Sequence, residues 1–472
     1  MPQPAYKNLT ADCRPPTARG VVSTGVTGRH RFLTVYLCSL PIRIIFVRGW
    51  WQLLLLILGI LLLTACRGRS RAITFAVFGD PAELAAYESL VDAFHQQHSE
   101  ITIELQHIPG QNDYRQRLAA QFTAGAPPDV FLLNYRRMAP FAVDGGLEPL
   151  TSYLTNSDLI QEADFYPATI VPFKWQGELW CIPQNVSSLV VYYNRDLFLS
   201  AGVPLPTDSW TRDDFLAAAL ALTQDTDGDG ITDQYGVGLE ASLFRLAPFV
   251  WQNGGEVVDD LDNPTRLPLD TPPARAAFQW LVDLQLRHQV APSRVAEAAE
   301  SSESRFLNGR LAMFFNSRRG VPTYRTINSF TWDIAPLPAG PVPAGILHSD
   351  GYCMAAAAQN KTAAWTFIEF ANSVKGQTII AASGRTVPSL ITVAQSPAFL
   401  DGLPPASSHL FLDTIPMLRA VPTMSRWIAI EETAGREVER AFYGEATVDE
   451  AIAAAIQLTQ PEFERAREQG GQ

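Results

Sequence analysis

The chain has 472 residues, 47% of them hydrophobic, enough for two domains or one large one around a substantial core. Residues 1–65 carry seven Lys and Arg against Asp12 alone, a net of +6, so the formal charge of -12 becomes -18 for everything that follows. So acidic a body argues against nucleic acid as a partner, because phosphate binding needs a surplus of Lys and Arg.

Leu53–Leu63 (LLLLILGILLL) is an uninterrupted apolar run behind Arg43 and Arg48, the layout of a basic segment followed by the hydrophobic stretch of an export signal. Extended back to Gly49 it reaches about 17 residues, the lower limit for a spanning helix, so a retained anchor helix is the alternative. Leu63-Thr64-Ala65-Cys66 resembles a bacterial lipobox, with small residues directly before the cysteine. That favours cleavage before Cys66, acylation of Cys66 and attachment to a membrane surface without a spanning segment. Of the five cysteines, Cys13 and Cys38 leave with such a leader. Cys181 and Cys353 are then free to pair in an oxidising exterior or to stay as buried thiols, and connectivity is not readable from sequence.

After the basic linker 66–71, Ala72–Phe78 alternates into a strand and Glu83–His98 reads as an amphipathic helix. Ile101–His107 is a second strand, a helix surrounds Tyr114–Phe122, and Asp129–Leu133 is a buried strand after the turn at Pro127-Pro128. This β-α-β-α-β alternation predicts a parallel sheet covered by helices, whose ligands sit beyond the carboxyl ends of the strands. Phe78-Gly79-Asp80 and Asn134-Tyr135-Arg136 occupy such ends. Ser187–Tyr193 is a further buried strand, Asn194 caps a short helix Arg195–Ser200, and Thr211 with Asp214 forms a capping box for a helix Arg212–Leu222.

Several blocks in series resemble the extracellular solute-binding protein family 1 of ABC importers, the group that contains maltose-binding proteins. They are PPDVFLLNY with APFAVDGGLEPLTSYL, GELWCIPQNVSSLVVYYNRDLFLSAGVPLPTDSW, ALTQDTDGDGITDQYGVGL, WQNGGEVVDD, FLNGRLAMFF, WDIAPLPAG with GYCMAAAAQNKTAAWTFIEFANS, and AFYGEATVDEAIAAA. The resemblance implies an α/β, two-lobed periplasmic-binding-protein-like fold of type II, each lobe a mostly parallel sheet flanked by helices, with the ligand in the cleft between lobes. It places lobe 1 at 72–183 plus 336–385 and lobe 2 at 184–335 plus 386–472. The chain then crosses near Pro183 and near Ala335-Pro336, and Cys181 and Cys353 fall in the same lobe. The resemblance further implies a monomeric, exported, lipid-anchored receptor that passes a mono- or oligosaccharide to an ABC permease, with no enzymatic step and no required cofactor.

A sugar presents hydroxyls at its edge and C–H faces above and below, so its site needs aromatic platforms and planar polar side chains. Trp251 is the leading platform, with Asn253 as a hydroxyl partner and Gly254 allowing close backbone approach. Tyr135, Tyr193, Trp332 and Tyr352, the last beside Gly351, are further aromatic candidates. Asp80, Asn134, Asn185 and Arg385 are polar candidates at strand ends or crossings. The family often has Gly-x-Trp after the strand that here reads AMFF, whereas this chain has Asn316-Ser317-Arg318-Arg319-Gly320. Arg318 and Arg319 can stack on a ring or clamp an anion, which admits an acidic sugar or a polyol phosphate as ligand.

Asp225, Asp227, Asp229 and Asp233 alternate on a Gly-bent loop and, with the Ile231 carbonyl, suit a structural calcium ion. Gly236 stands where an EF-hand has its glutamate, so a complete EF-hand is excluded. The competing readings of function are an exported carbohydrate-active enzyme, for which no pair of carboxylates stands out, and a ligand-sensing lipoprotein. No P-loop, His-rich zinc pattern or G-x-S-x-G is present.

Overall fold

The computed structural model describes residues 72–469. The apolar run, the motif ending at Cys66 and the linker lie outside the described residues. Among those described, no helix is long and apolar enough to cross a membrane.

In chain order the first part runs β1 (Ile73–Phe78), α1 (Pro81–His95), β2 (Ile103–Ile108), α2 (Gln111–Thr123), β3 (Val130–Asn134) and β4 (Cys181–Pro183). Then come β5 (Val190–Asn194), α3 (Arg195–Ser200), α4 (Arg212–Ala221), β6 (Tyr235–Gly238), α5 (Leu243–Gln252), β7 (Leu311–Asn316) and β8 (Trp332–Ala335). The chain closes through β9 (Asp350–Met354), α6 (Lys361–Ala371), α7 (Trp427–Phe442) and α8 (Val448–Glu468).

Two sheets form two lobes, with strand orders β2-β1-β3-β9-β4 and β8-β5-β7-β6. β1 is buried at nearly every position, as expected of a strand covered on both faces, and runs parallel to β2 and β3. The other strands depart from the mostly parallel expectation. β9 is antiparallel to both β3 and β4, and in the second sheet only β6 and β7 run parallel. Apolar periodicity marks a strand as buried but carries no information about its direction; β9 enters its sheet on the return from the other lobe and so opposes β3.

Local signals fixed the element boundaries. α1 starts two residues before the predicted Glu83, because the Asp80 carboxylate accepts from the Ala82 and Glu83 N–H groups and Pro81 fills the first turn. Asn194 accepts from Asp196 and Leu197 N–H, and Thr211 with Asp214 makes the predicted reciprocal box. The predicted strand from Ser187 begins later, at Val190, and Ser187 forms only an isolated bridge to His348.

Aromatic rings fill both cores: Phe75 packs on Tyr87 and Phe367 in one lobe, Tyr192 on Tyr324 and Trp332 in the other. Cys181 and Cys353 face each other in the β4–β9 register and are disulfide-bonded, with Cα atoms 4.3 Å apart. Three chain segments are hydrogen-bonded together where the sheets meet: Ser187 and His348 exchange both N–H···O bonds at 2.9 Å, and Val186 N–H donates to the Val387 carbonyl at 2.9 Å. Ser389 Oγ donates to the Pro183 carbonyl and Leu390 N–H to Gln377 Oε1, tying the third segment to the first lobe.

Candidate functional site

A cleft of about 910 Å³ opens at the carboxyl ends of strands from both sheets. Phe78 ends β1, Asn134 ends β3, Asn316 ends β7 and Leu239 follows β6, and all four line it. The first lobe adds Glu83, Arg136, Asp350 and Arg385; the second adds Ser242, Phe244, Arg245, Ser317 and Arg319. Asn185, Ser187 and His348 come from the crossing segments, and Glu431, Glu432 and Arg436 from α7.

Charge pairing organises the first-lobe wall. Arg385 Nη1 meets Asp80 Oδ2 at 2.9 Å, and its Nε meets Glu83 Oε1 at 2.5 Å. Gly79 allows this arrangement: a Cβ there would stand 1.6 Å from Glu83 Oε2, and its φ of +140° suits glycine. Burial pushes the Glu83 carboxyl up to about 8, against the pull of Arg385. Arg136 Nη1 donates to Glu431 Oε1 at 2.5 Å, while its guanidinium lies 3.8 Å from the centre of the Phe244 ring. Phe244 also stacks on His348 at 4.8 Å.

Both walls hold buried polar atoms without partners: Glu83 Oε2 and Arg137 Nε on the first lobe, and two Arg245 nitrogens on the second. α5 begins with Ser242 accepting from Arg245 N–H, which sets the first turn of the helix on the cleft. Arg245 Nη2 reaches Glu240 at 3.4 Å, but Arg245 Nε and Nη1 are buried without a partner, as is His348 Nε2. Burial lowers the Arg245 pKa, an effect that Glu240 opposes and that Arg319 and Arg136 reinforce. Burial first, and then the charges of Arg245, Arg136 and Arg319, holds the His348 imidazole well below its ordinary range, so the ring is neutral.

Of the residues proposed from sequence, Asn134, Asn185, Arg319 and Arg385 lie on the cleft wall. The others do not. Asp80 is spent on the α1 cap and on Arg385. Tyr135 is buried and receives the Val421 N–H on its hydroxyl; Tyr193 packs on Phe198. Trp332 is enclosed by Tyr192 and Tyr324, and Tyr352 accepts from Gln184 inside the first lobe. Gly351 faces Phe173 in the sheet. Trp251 is 3% exposed beneath the Arg419 guanidinium, Asn253 binds Arg212 and the Pro273 carbonyl, and Gly254 closes the turn after α5. Arg318 is 1% exposed, its Nε on the Gly384 carbonyl and its Nη1 on Ser408 Oγ. Apart from the two glycines, these side chains make their contacts within the protein. Sequence reasoning missed Glu83, Phe244, Arg245 and His348; the Ser242 cap was the available signal for Arg245.

On the Asp-rich loop, carboxylate oxygens of Asp225, Asp227 and Asp229 lie within 4.8 Å of one another and are exposed. Asp225 also accepts from Gly228 and Gly230 N–H, Asp227 from Asp229 N–H and Asp229 from Ile231 N–H. Asp233 is turned to Thr226, which donates from its N–H and hydroxyl.

Residues 79–378 match the family model described as bacterial extracellular solute-binding protein. The maltotriose-binding protein of Pyrococcus abyssi is 24% identical over 299 residues, 61% of this chain and 60% of that protein. The mannitol-binding protein of Pseudomonas aeruginosa is 22% identical over 409 residues, 81% and 91% of the two chains. Among solved structures, an ABC substrate-binding protein from Listeria monocytogenes in complex with cycloalternan superimposes with a TM-score of 0.75 at 24% identity, over 85% of this chain and 99% of that one. Maltose-bound T. maritima MalE3 gives a TM-score of 0.70 at 24% identity, over 82% and 98%.

Proposed function

The chain belongs to the bacterial extracellular solute-binding protein family, and from that premise we propose that it is the carbohydrate receptor of an ABC importer, exported and held on the membrane by lipid on Cys66. One observation carries the reading: a cleft lined at the strand ends of both lobes, with the lobes joined by three short hydrogen-bonded segments. A ligand that touches both walls favours closure about those segments, and the closed form is what a permease would distinguish from the open one. Pro183–Val186 is the first of the proposed hinges. The chemistry is hydrogen bonding and charge pairing with no bond broken, and the receptor acts as a monomer. Calcium on the Asp225–Asp233 loop belongs to this reading as a structural ion, remote from ligand chemistry.

The test is a thermal-shift screen of mono-, di- and oligosaccharides, sugar acids and polyol phosphates, with product analysis of every tube. Stabilisation by a carbohydrate without product is expected. Turnover, or no response to any member of the set, would remove the receptor reading. Loss of the protein from the membrane fraction on Cys66→Ser tests the anchor separately.

A further inference from the structure

We infer that the carbohydrate taken by this cleft bears an oxyanion, a phosphate or a carboxylate, and that Arg245, His348 and Arg319 form the subsite that receives it. The inference rests on the receptor reading above and specifies the class of ligand. It starts from an imbalance in bonding. Several carboxylates around the cleft are engaged: Glu431 accepts from Arg136 and from Trp427 Nε1, Asp350 from Asn134 Nδ2, Glu303 from Tyr324, and Glu297 from Ser302, while one oxygen of Glu83 has no partner. The Arg245 side chain is only 11% exposed, yet two of its three nitrogens have no acceptor. His348 Nε2 stands equally alone, and Arg319 is exposed on the cleft wall with no ion-pair partner among the described residues.

Buried donors without acceptors are costly, and most costly when charged. A sugar hydroxyl satisfies them only in part, whereas a phosphate or carboxylate oxygen forms charge-assisted bonds roughly twice as strong. Helix α5 adds to this potential, because its first turn lies on the cleft and its N-terminal end is the positive end. His348, neutral beside three guanidinium groups, donates from Nε2 in one tautomer. Glu83 offers less opposition than a free carboxylate, since its Oε1 is engaged by Arg385 Nε at 2.5 Å and burial raises its pKa. The aromatic alternative is weak: no tryptophan is among the described lining residues, and the lining rings are engaged, Phe244 by Arg136 and His348, Tyr443 by Arg294, Phe78 by Tyr114, Phe314 by Phe306 and Phe315 by Phe215.

The test uses the full chain in detergent with two sets of probes at constant ionic strength. Inorganic phosphate gives a readout independent of sugar identity: it is expected to raise the melting temperature of the wild type and to lose that effect in Arg245→Gln. Glucose, glucose 6-phosphate and glucuronate are then compared by titration calorimetry, with the charged sugars expected to bind at least ten-fold more tightly than glucose. The tighter of the two identifies the source of the oxyanion. Arg245→Gln should remove that ten-fold advantage, read as the ratio of charged-sugar to glucose affinity within the variant itself. Arg319→Gln changes an exposed side chain, so it keeps the test decisive if Arg245→Gln fails to fold; it should reduce the advantage several-fold. No response of the wild type to phosphate, or glucose binding as tightly as both charged sugars, overturns the oxyanion subsite and leaves the neutral-carbohydrate screen to judge the receptor reading on its own.

Discussion

The two ends of helix α5 look alike in composition and behave in opposite ways. At its start, Phe244 and Arg245 face the cleft, and two Arg245 nitrogens have no acceptor. At its end, Trp251 is buried beneath Arg419, and the Asn253 amide is bonded on both sides. Leu243 and Trp251 are eight positions apart, about 12 Å along a helix axis. The difference shows that polarity and aromaticity do not mark a binding residue by themselves. What marks it is bonding capacity that the fold leaves unused.

Trp251→Ala puts the greatest strain on this contrast. Truncating a buried tryptophan removes its transfer energy and leaves a cavity, so a loss of about 3–5 kcal/mol in unfolding free energy is expected. The folded fraction should bind ligand with unchanged affinity, as measured by denaturant melts and calorimetry on the same preparation. A folded Trp251→Ala protein with weakened binding would erase the distinction between the two helix ends.

Glu83 carries the comparison to the opposite wall, where one oxygen is paired with Arg385 and the other has no partner. Its folded pKa of about 8 lies above the ordinary 4.5, so the folded chain keeps a proton that the unfolded chain has lost. That contribution is fully present below about pH 4.5, declines as pH rises and is gone above about pH 8. At about 1.4 kcal/mol per pH unit the swing is of the order of 3–5 kcal/mol. Glu83→Gln should therefore gain stability relative to wild type as pH goes from 5 to 9, read from paired thermal melts. A constant difference across that range would mean that Glu83 is ionised throughout, and that it opposes an anion in the cleft.

The sequence revealed what depends on neighbours in the chain. The Asn194 cap, the Thr211–Asp214 box and the β1-α1-β2-α2-β3 alternation are all short-range, and all appear in the fold. Strand direction in the second sheet is set by long-range chain returns and was not legible. The same division runs through the site. Arg318 and Arg319 are adjacent, but Gly384 and Ser408, 66 and 90 positions from Arg318, take up its guanidinium and leave Arg319 at the cleft. Asn134 could be placed because it ends a strand whose neighbours are local. His348 could not, because its surroundings come from distant parts of the chain: Arg136, the α5 residues Phe244 and Arg245, and Arg319.

The smallest expected effect lies on the Asp225–Asp233 loop, where the same accounting of used and unused bonds can be applied to carboxylates. Asp225 uses both oxygens on backbone N–H groups, while Asp227 and Asp229 each use one. A calcium ion would have to share those oxygens, so only modest affinity is expected from this loop. Linkage at ten times the dissociation constant is worth about 1.4 kcal/mol. Adding calcium to EDTA-treated protein should thus raise the melting temperature by a few degrees at most, and Asp227→Asn should diminish the rise. Because the loop lies apart from the residues lining the cleft, calcium should leave ligand affinity unchanged. An unchanged melting temperature at millimolar calcium would mean that the backbone donors alone satisfy these carboxylates, and that the loop is a turn held by its own aspartates.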